Sequence, residues 1–311
     1  MEYQPKETPL IVNHLSKKFD DFFALDQVSL SLRSGEIFGL LGPNGAGKTT
    51  FISIITSLLV PTSGNGFVFG HEIQRDSLNV RRKIGVVPQE IVSHGFFTVR
   101  QVLQFHSGYY GIRNNQERIA YILNRLALYD HRDKLVSQLS GGMKRRLLIA
   151  KALVHNPPFL LLDEPTAGVD VELRNTLWEF VRELNKKGQT ILLTTHYLHE
   201  AEELCDRVGI LSQGKLIALD ETRNLIKKLT CRRVELTMEN QWNGKVKADD
   251  VRIEGNTIHL SLSHQQSLGE CIKHIGIPLE QIKDISINEG DLEEAFIKSL
   301  HQEVNHNGNK C

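Results

Sequence analysis

The stretch Gly42-Pro43-Asn44-Gly45-Ala46-Gly47-Lys48-Thr49 has the residue types and spacing of a loop that wraps phosphate. Backbone amides must turn inward around a β-phosphate, and glycine alone permits those turns and so close an approach. Lys48 is placed to contact the β- and γ-phosphates, the Thr49 hydroxyl to ligate Mg²⁺, and Thr50 to bond the α-phosphate. A pair of carboxylates, Asp163-Glu164, directly follows the apolar run Phe159-Leu160-Leu161-Leu162. Charge at the end of a buried strand is costly unless a cation is near, and Mg²⁺ with ATP supplies one. Asp163 then holds the metal through water, and Glu164, alternating to the other side, orients or deprotonates an attacking water. His196 closes a further apolar run, residues 190–195, and can donate to a γ-phosphate or to that water. As a plain structural feature, the same histidine would be a satisfied strand end.

A second anion site stands in Ser140-Gly141-Gly142, a small-residue turn ahead of a helix over residues 144–153. One chain thus carries two phosphate-binding loops. Either both serve one nucleotide within a monomer, or a head-to-tail dimer shares two nucleotides between them.

These residues need strands that end together and helices that begin there. Val28-Ser29-Leu30-Ser31-Leu32 alternates as a half-buried strand does, and Glu36-Ile37-Phe38-Gly39-Leu40-Leu41 reads as a buried strand feeding the glycine loop. From about residue 95 to 155 the pattern is mostly helical. It opens on Thr98-Val99-Arg100-Gln101, a capping box. Strand–helix–strand alternation returns from about 156 to 222, which predicts a parallel sheet. The helix over residues 171–187 places Leu173, Leu177, Phe180, Val181 and Leu184 on one face, with Gly188 set to cap it. From about residue 231 a separate small α+β domain is expected. It has a hairpin around Gly255-Asn256, a strand at Ile285 and Ile287, and a last helix capped by Asp291. Residues 303–311 read as a disordered tail.

Composition narrows the function further. Lys+Arg and Asp+Glu both number 37, so net charge offers no reason to bind nucleic acid or an anionic membrane surface directly. No apolar run approaches the ~20 residues that span a bilayer, so direct membrane insertion is not expected. The opening MEYQPKETPL lacks the pattern of a signal peptide, which predicts a cytoplasmic location. The 4 cysteines show neither CxxC nor zinc-ligand spacing and read as reduced, incidental thiols.

In their order along about residues 8–225 the motifs resemble the ABC ATPase family. They are an aromatic at Phe19, the glycine loop, Val87-Pro88-Gln89, Leu139-Ser140-Gly141-Gly142-Met143, the strand ending in Asp163-Glu164, Ala167-Gly168-Val169-Asp170, and His196. The resemblance implies a P-loop NTPase of class α/β. Its parallel, RecA-like core sheet would carry an antiparallel β subdomain and an α-helical signature subdomain, here about residues 92–155. The small α+β domain would span residues 231–302. The resemblance further implies an ATPase that forms a homodimer around two ATP molecules and drives a separate integral membrane permease from the cytoplasmic face of the membrane. Gln89 would sense Mg²⁺ and the permease, Phe19 would stack on adenine, and Asp170 would cross the dimer interface. Asp170 is equally suited to cap the helix that follows it.

Phe19 stands where the family usually has tyrosine, and Met143 where glutamine is commoner. Met143 with Lys144-Arg145-Arg146, and the ending Asp291-Leu292-Glu293-Glu294-Ala295-Phe296, are similar to ABC-2-type exporter ATPases. An importer ATPase and a non-transport ABC protein are the alternatives. The short C-terminal domain weighs against the first, and a single cassette without heptads against the second. The aromatics Phe96, Phe97, Phe105, Tyr109 and Tyr110 either dock the permease or fill the core.

Overall fold

The apolar runs that end on glycine, acid or histidine become strands of one layer, and the segments between them become the helices that cover it. The computed structural model of the protein describes residues 8–90, 95–166, 171–239 and 251–308. Two compact units emerge, Met1–Leu219 and Asp220–Cys311.

The first unit holds β1 (Leu10–Phe19), β2 (Phe22–Leu32), β3 (Ile37–Leu41), α1 (Lys48–Ile55), β4 (Ser63–Val68), β5 (His71–Glu72), α2 (Ser77–Lys83) and β6 (Ile84–Val87). It continues with α3 (Val99–Tyr109), α4 (Gln116–Arg125), α5 (Gly141–Leu153), β7 (Phe159–Asp163), α6 (Val171–Lys186), β8 (Thr190–Thr194), α7 (Leu198–Leu204), β9 (Arg207–Ser212) and β10 (Lys215–Glu221), whose last two residues fall past the division.

A six-stranded sheet runs in the order β10-β9-β3-β8-β7-β6. Strand β3 is parallel to β8 and β9, and β7 is parallel to β6 and β8. Every residue of β3, β7 and β8 is buried, as expected of parallel strands covered on both faces. The consequence for chemistry is positional. The loop after β3, Gln89 after β6, the Asp163 end of β7 and His196 after β8 all leave the same rim. An antiparallel sheet, β2-β1-β4-β5, lies against this layer. Leu10, Val12 and Leu30 of its strands share one core with Phe38, Leu40, Phe159 and Leu161 of the parallel sheet and Phe51 and Ile54 of α1.

Helices α3 to α5 form the helical part of this unit. The capping box stands as the sequence predicts: the Thr98 Oγ1 accepts from the Gln101 amide, and the Gln101 side chain accepts from the Thr98 amide. Gly188 adopts φ 93° just beyond α6, a left-handed conformation that glycine takes without strain.

The second unit contains α8 (Thr222–Leu229), β11 (Arg232–Met238), β12 (Val251–Glu254), β13 (Thr257–Leu262), α9 (Leu268–Ile275), β14 (Ile282–Asn288) and α10 (Leu292–Gly308). Its antiparallel sheet has the order β12-β13-β11-β14 and encloses a core of Val234, Leu236, Met238, Ile258, Leu260, Leu262 and Ile272. The hairpin turns at Gly255 with φ 62°. Two boundaries differ from the sequence reading. The division falls at Leu219/Asp220 rather than at 225–231, because amphipathic α8 packs on α10 inside this unit. The last helix also runs to Gly308, where a disordered tail was expected from residue 303; its opening turn is secured by Asp291 Oδ1, which accepts from the Glu294 amide.

Replacing Thr98 by alanine leaves an amide at the start of α3 without its side-chain acceptor. The expected outcome is a loss of about 1 kcal/mol from the stability of the first unit, read as a lower urea midpoint at unchanged slope.

Candidate active site

The glycine loop is shaped by near contact with its own scaffold. A Cβ at Gly47, where φ is 106°, would stand 2.3 Å from the Ala24 carbonyl oxygen, and one at Gly42 would stand 2.3 Å from that of Leu211. The loop therefore accepts no side chain at either place. Gly47 is the residue from which α1 starts, so the loop leads directly into a helix N-terminus. Pro43, Asn44, Gly45 and Thr49 are exposed, whereas Ala46 and Lys48 are buried. The Lys48 ammonium donates to the carbonyls of Gly42 (2.6 Å) and Pro43 (3.1 Å). Burial pushes its pKa down, and the carboxylates of Glu164 and Asp163 oppose that push.

Asp163 ends β7 in the buried interior. Its Oδ1 accepts from the Thr194 hydroxyl at 2.6 Å. Burial raises its pKa; the hydrogen bond from Thr194 works against that, the charge of Glu164 adds to it, and Lys48 and Arg145 oppose it.

Glu164 departs from the expected strand geometry. It was expected to alternate away from Asp163 across a pleat. Instead the strand stops at Asp163, and Glu164 adopts a left-handed φ of 45°. Its direction comes from this turn, a conformation that costs a non-glycine residue about 1–3 kcal/mol. The Glu164 amide is shared between the Thr194 carbonyl and hydroxyl, both at 3.1 Å. Its carboxylate Oε2 accepts from Gln89 Nε2 at 3.0 Å and lies 3.5 Å from His196 Nδ1. Gln89, Glu164 and His196, which belong to three different strand ends, thus meet at one oxygen.

The donor set suits magnesium. Asp163 and Thr49 offer oxygen, which this small hard cation prefers, and it completes its shell from substrate phosphates and water. Among the described residues no three His, Cys, Asp or Glu side chains form a metal-binding group.

Other expected site residues lie apart from this cluster. Phe19 ends β1 with its ring 5.0 Å from the Lys17 ammonium and 45% exposed, open to a flat partner. Ser140 caps α5, its Oγ accepting from the Met143 amide at 3.3 Å, and Ser140 and Gly141 are exposed. Neither Phe19 nor Ser140–Gly142 hydrogen-bonds to the carboxylate cluster among the described residues. Thr50 follows Thr49 in the first turn of α1. Asp170, with 167–169, lies outside the described residues.

Two residues of the site were not singled out by sequence reasoning. Thr194 could have been noticed as a hydroxyl among apolar neighbours two places before His196. Arg145 carries a fainter signal: Leu148, Ile149 and Ala152, at helical spacing from it, are apolar and buried, so its own position faces inward.

Comparison with known proteins agrees with this geometry. The family described as ABC transporter matches residues 25–167. The linearmycin resistance ATP-binding protein LnrL of Bacillus subtilis is 40% identical over 222 residues, covering 71% of this chain and 71% of that protein. The Nod factor export ATP-binding protein I of Burkholderia thailandensis is 40% identical over 231 residues, covering 73% and 76%. Among solved structures, an ATP-binding subunit of an ABC transporter superposes with a TM-score of 0.67 at 30% identity, over 71% of this chain and 93% of that one. A dimeric ATP-binding cassette in a post-hydrolysis state with ADP and Pi superposes with a TM-score of 0.63 at 27% identity, over 68% and 98%.

The raised pKa of Asp163 fixes the sign of one prediction. A carboxyl whose folded pKa lies above its unfolded value keeps more protons when folded, so ionising it costs stability as pH rises through that window. Asp163→Asn removes this cost. The expected variant melts at or above the temperature of the unchanged chain at pH 7, yet is inactive in an ATPase assay.

Proposed function

From the premise that the chain belongs to the ABC transporter ATPases, we propose that it is the ATP-hydrolysing subunit of an ABC-2-type exporter. In this reading it closes as a homodimer around two ATP molecules with Mg²⁺ and drives a separate membrane permease. The observation that carries the reading is the pair of anion-binding helix starts, Gly47 ahead of α1 and Ser140 ahead of α5. Each provides free amides and a favourable dipole, but only the first sits beside the carboxylate cluster. Two copies arranged head to tail use both. Export is favoured by the sequence around Met143 and by relatives named for resistance and for Nod factor export.

The chemistry assigned to the chain's own groups is brief. Lys48 and the loop amides hold the phosphates of ATP. Asp163 and Thr49 would hold Mg²⁺, which when bound neutralises phosphate charge and orients the transferring group. Glu164 accepts a proton from water as that water attacks the γ-phosphorus and the bond to ADP breaks. Gln89 and His196 keep the Glu164 carboxylate aligned, and His196 can also donate to the γ-phosphate. Phe19 stacks on adenine, and Asp170 crosses to the second copy.

Permease docking is assigned to the aromatic face of the helical part. Phe96 is 93% exposed and Tyr109 83%, with Phe97 and Phe105 also open and packed edge to face at 5.0 Å. A core role fits Tyr110 alone, which stacks on His155 at 3.6 Å. Among the described residues no helix is long and apolar enough to cross a membrane. In this reading the chain associates with the cytoplasmic face of the membrane through the permease.

Glu164→Gln is expected to bind ATP but not turn it over. Size-exclusion chromatography with light scattering in Mg²⁺–ATP should find it as a dimer; a monomer, or hydrolysis at the unchanged rate, would sink the assignment. Phe96→Asp is expected to retain ATPase activity and to lose co-purification with its permease partner; unchanged co-purification would count against docking at this face.

A further inference from the structure

Arg145 lies in the second turn of α5, is 3% exposed, and reaches the backbone at the ends of two strands. Its Nε donates to the Pro165 carbonyl (2.8 Å). Nη1 donates to Pro88 (2.6 Å) and Gln89 (2.9 Å), and Nη2 to Asp163 (3.2 Å) and Glu164 (2.5 Å). A guanidinium has five N–H donors in a rigid planar fork, and all of them are used on carbonyls.

The carbonyls lie at the end of, or just beyond, two neighbouring parallel strands. Strand β6 pairs with β7 so that Val87 stands opposite Leu162, and both strands end at the rim where Gln89 and Glu164 emerge. Carbonyls at a strand end have no ladder partner, so a buried turn there needs donors from elsewhere. Arg145 supplies them to both turns at once. On the far side, Thr194 binds the Glu164 amide through its carbonyl and hydroxyl. The left-handed Glu164 is therefore gripped at its amide by β8 and at its carbonyl by α5. Strained backbone of this kind persists only where its surroundings over-determine it.

We propose that Arg145 is a positioning residue for ATP hydrolysis, keeping Gln89 and Glu164 in register by capping the two strand ends that carry them. The proposal rests on the reading of Glu164 as the base. It also makes α5, the helix begun by Ser140, rigid with respect to that base. A shift of the helix start is transmitted to the carboxylate through one planar side chain rather than through a flexible loop. A buried cation that served folding alone would be replaceable at no cost to the rate constant.

The test is steady-state hydrolysis by the full chain carrying Arg145→Lys or Arg145→Gln, beside Glu164→Gln, with ATP affinity and melting temperature measured on each. Lysine keeps the charge, but its single nitrogen has three donors and cannot span both turns. Glutamine removes the buried charge and its desolvation cost. The expected result is cooperative melting, ATP affinity and KM within about threefold of the unchanged chain, and kcat lower by about 10²-fold. Gln89→Ala added to Arg145→Lys should bring little further loss, since the two act through one alignment. A kcat within about twofold of the unchanged chain, loss of rate and affinity in proportion, or failure of both variants to fold would overturn the assignment of Arg145. Activity in Glu164→Gln would instead overturn the reading of Glu164 as the base, independently of the Arg145 result.

Discussion

Opposite charges buried at one rim of a parallel sheet are the constraint that the first unit is built around. Lys48 and Asp163 are both nearly excluded from water, and burial pushes each toward its neutral form. Their mutual attraction, the Thr194 hydroxyl and the nearby Arg145 offset that push. A rim of this kind exists because β3, β6, β7 and β8 run the same way. Residues of β3, β7 and β8 are buried throughout, and the carboxyl ends gather residues from distant parts of the chain into one crevice. An antiparallel arrangement of the same strands would scatter them to both edges.

The second requirement is satisfaction of the backbone where the strands stop. The turn after β7 needs a left-handed residue, and Glu164 occupies it without being glycine. Catalytic geometry and backbone strain thus coincide at one position, and the surrounding donors and acceptors make the strain tolerable. Thr194 serves twice, donating to the Asp163 carboxylate and accepting from the Glu164 amide. A comparable economy appears on α7, where buried Glu200 accepts from Thr166 after β7 and from Thr195 after β8. The rim is therefore braced by buried side chains of β8 and α7 as well as by its own backbone.

The second unit solves a different problem with its own materials. Its sheet is antiparallel, its core of Val234, Leu236, Ile258 and Leu260 is separate, and α8 joins α10 within it. That α8 belongs here rather than to the ATPase unit follows from what its apolar face packs against, a property that no local pattern specifies.

The amino-acid sequence by itself determined the chemistry and the order of its parts. A glycine-lysine loop can do little except bind phosphate, an apolar run ending in Asp-Glu marks a strand end, and Thr98-x-x-Gln101 caps a helix, because each depends on neighbours a few residues away. The exposed state of Phe96 and Tyr109, the left-handed Glu164, the double role of Thr194 and the five-fold engagement of Arg145 were decided only by tertiary structure. Arg145 reads as one cation in a basic run until α5 turns it inward, 56 residues from Gln89 and 19 from Glu164 in the chain. Such contacts are set by which surfaces the fold brings together, and residue type and spacing carry no record of a partner so far along the sequence.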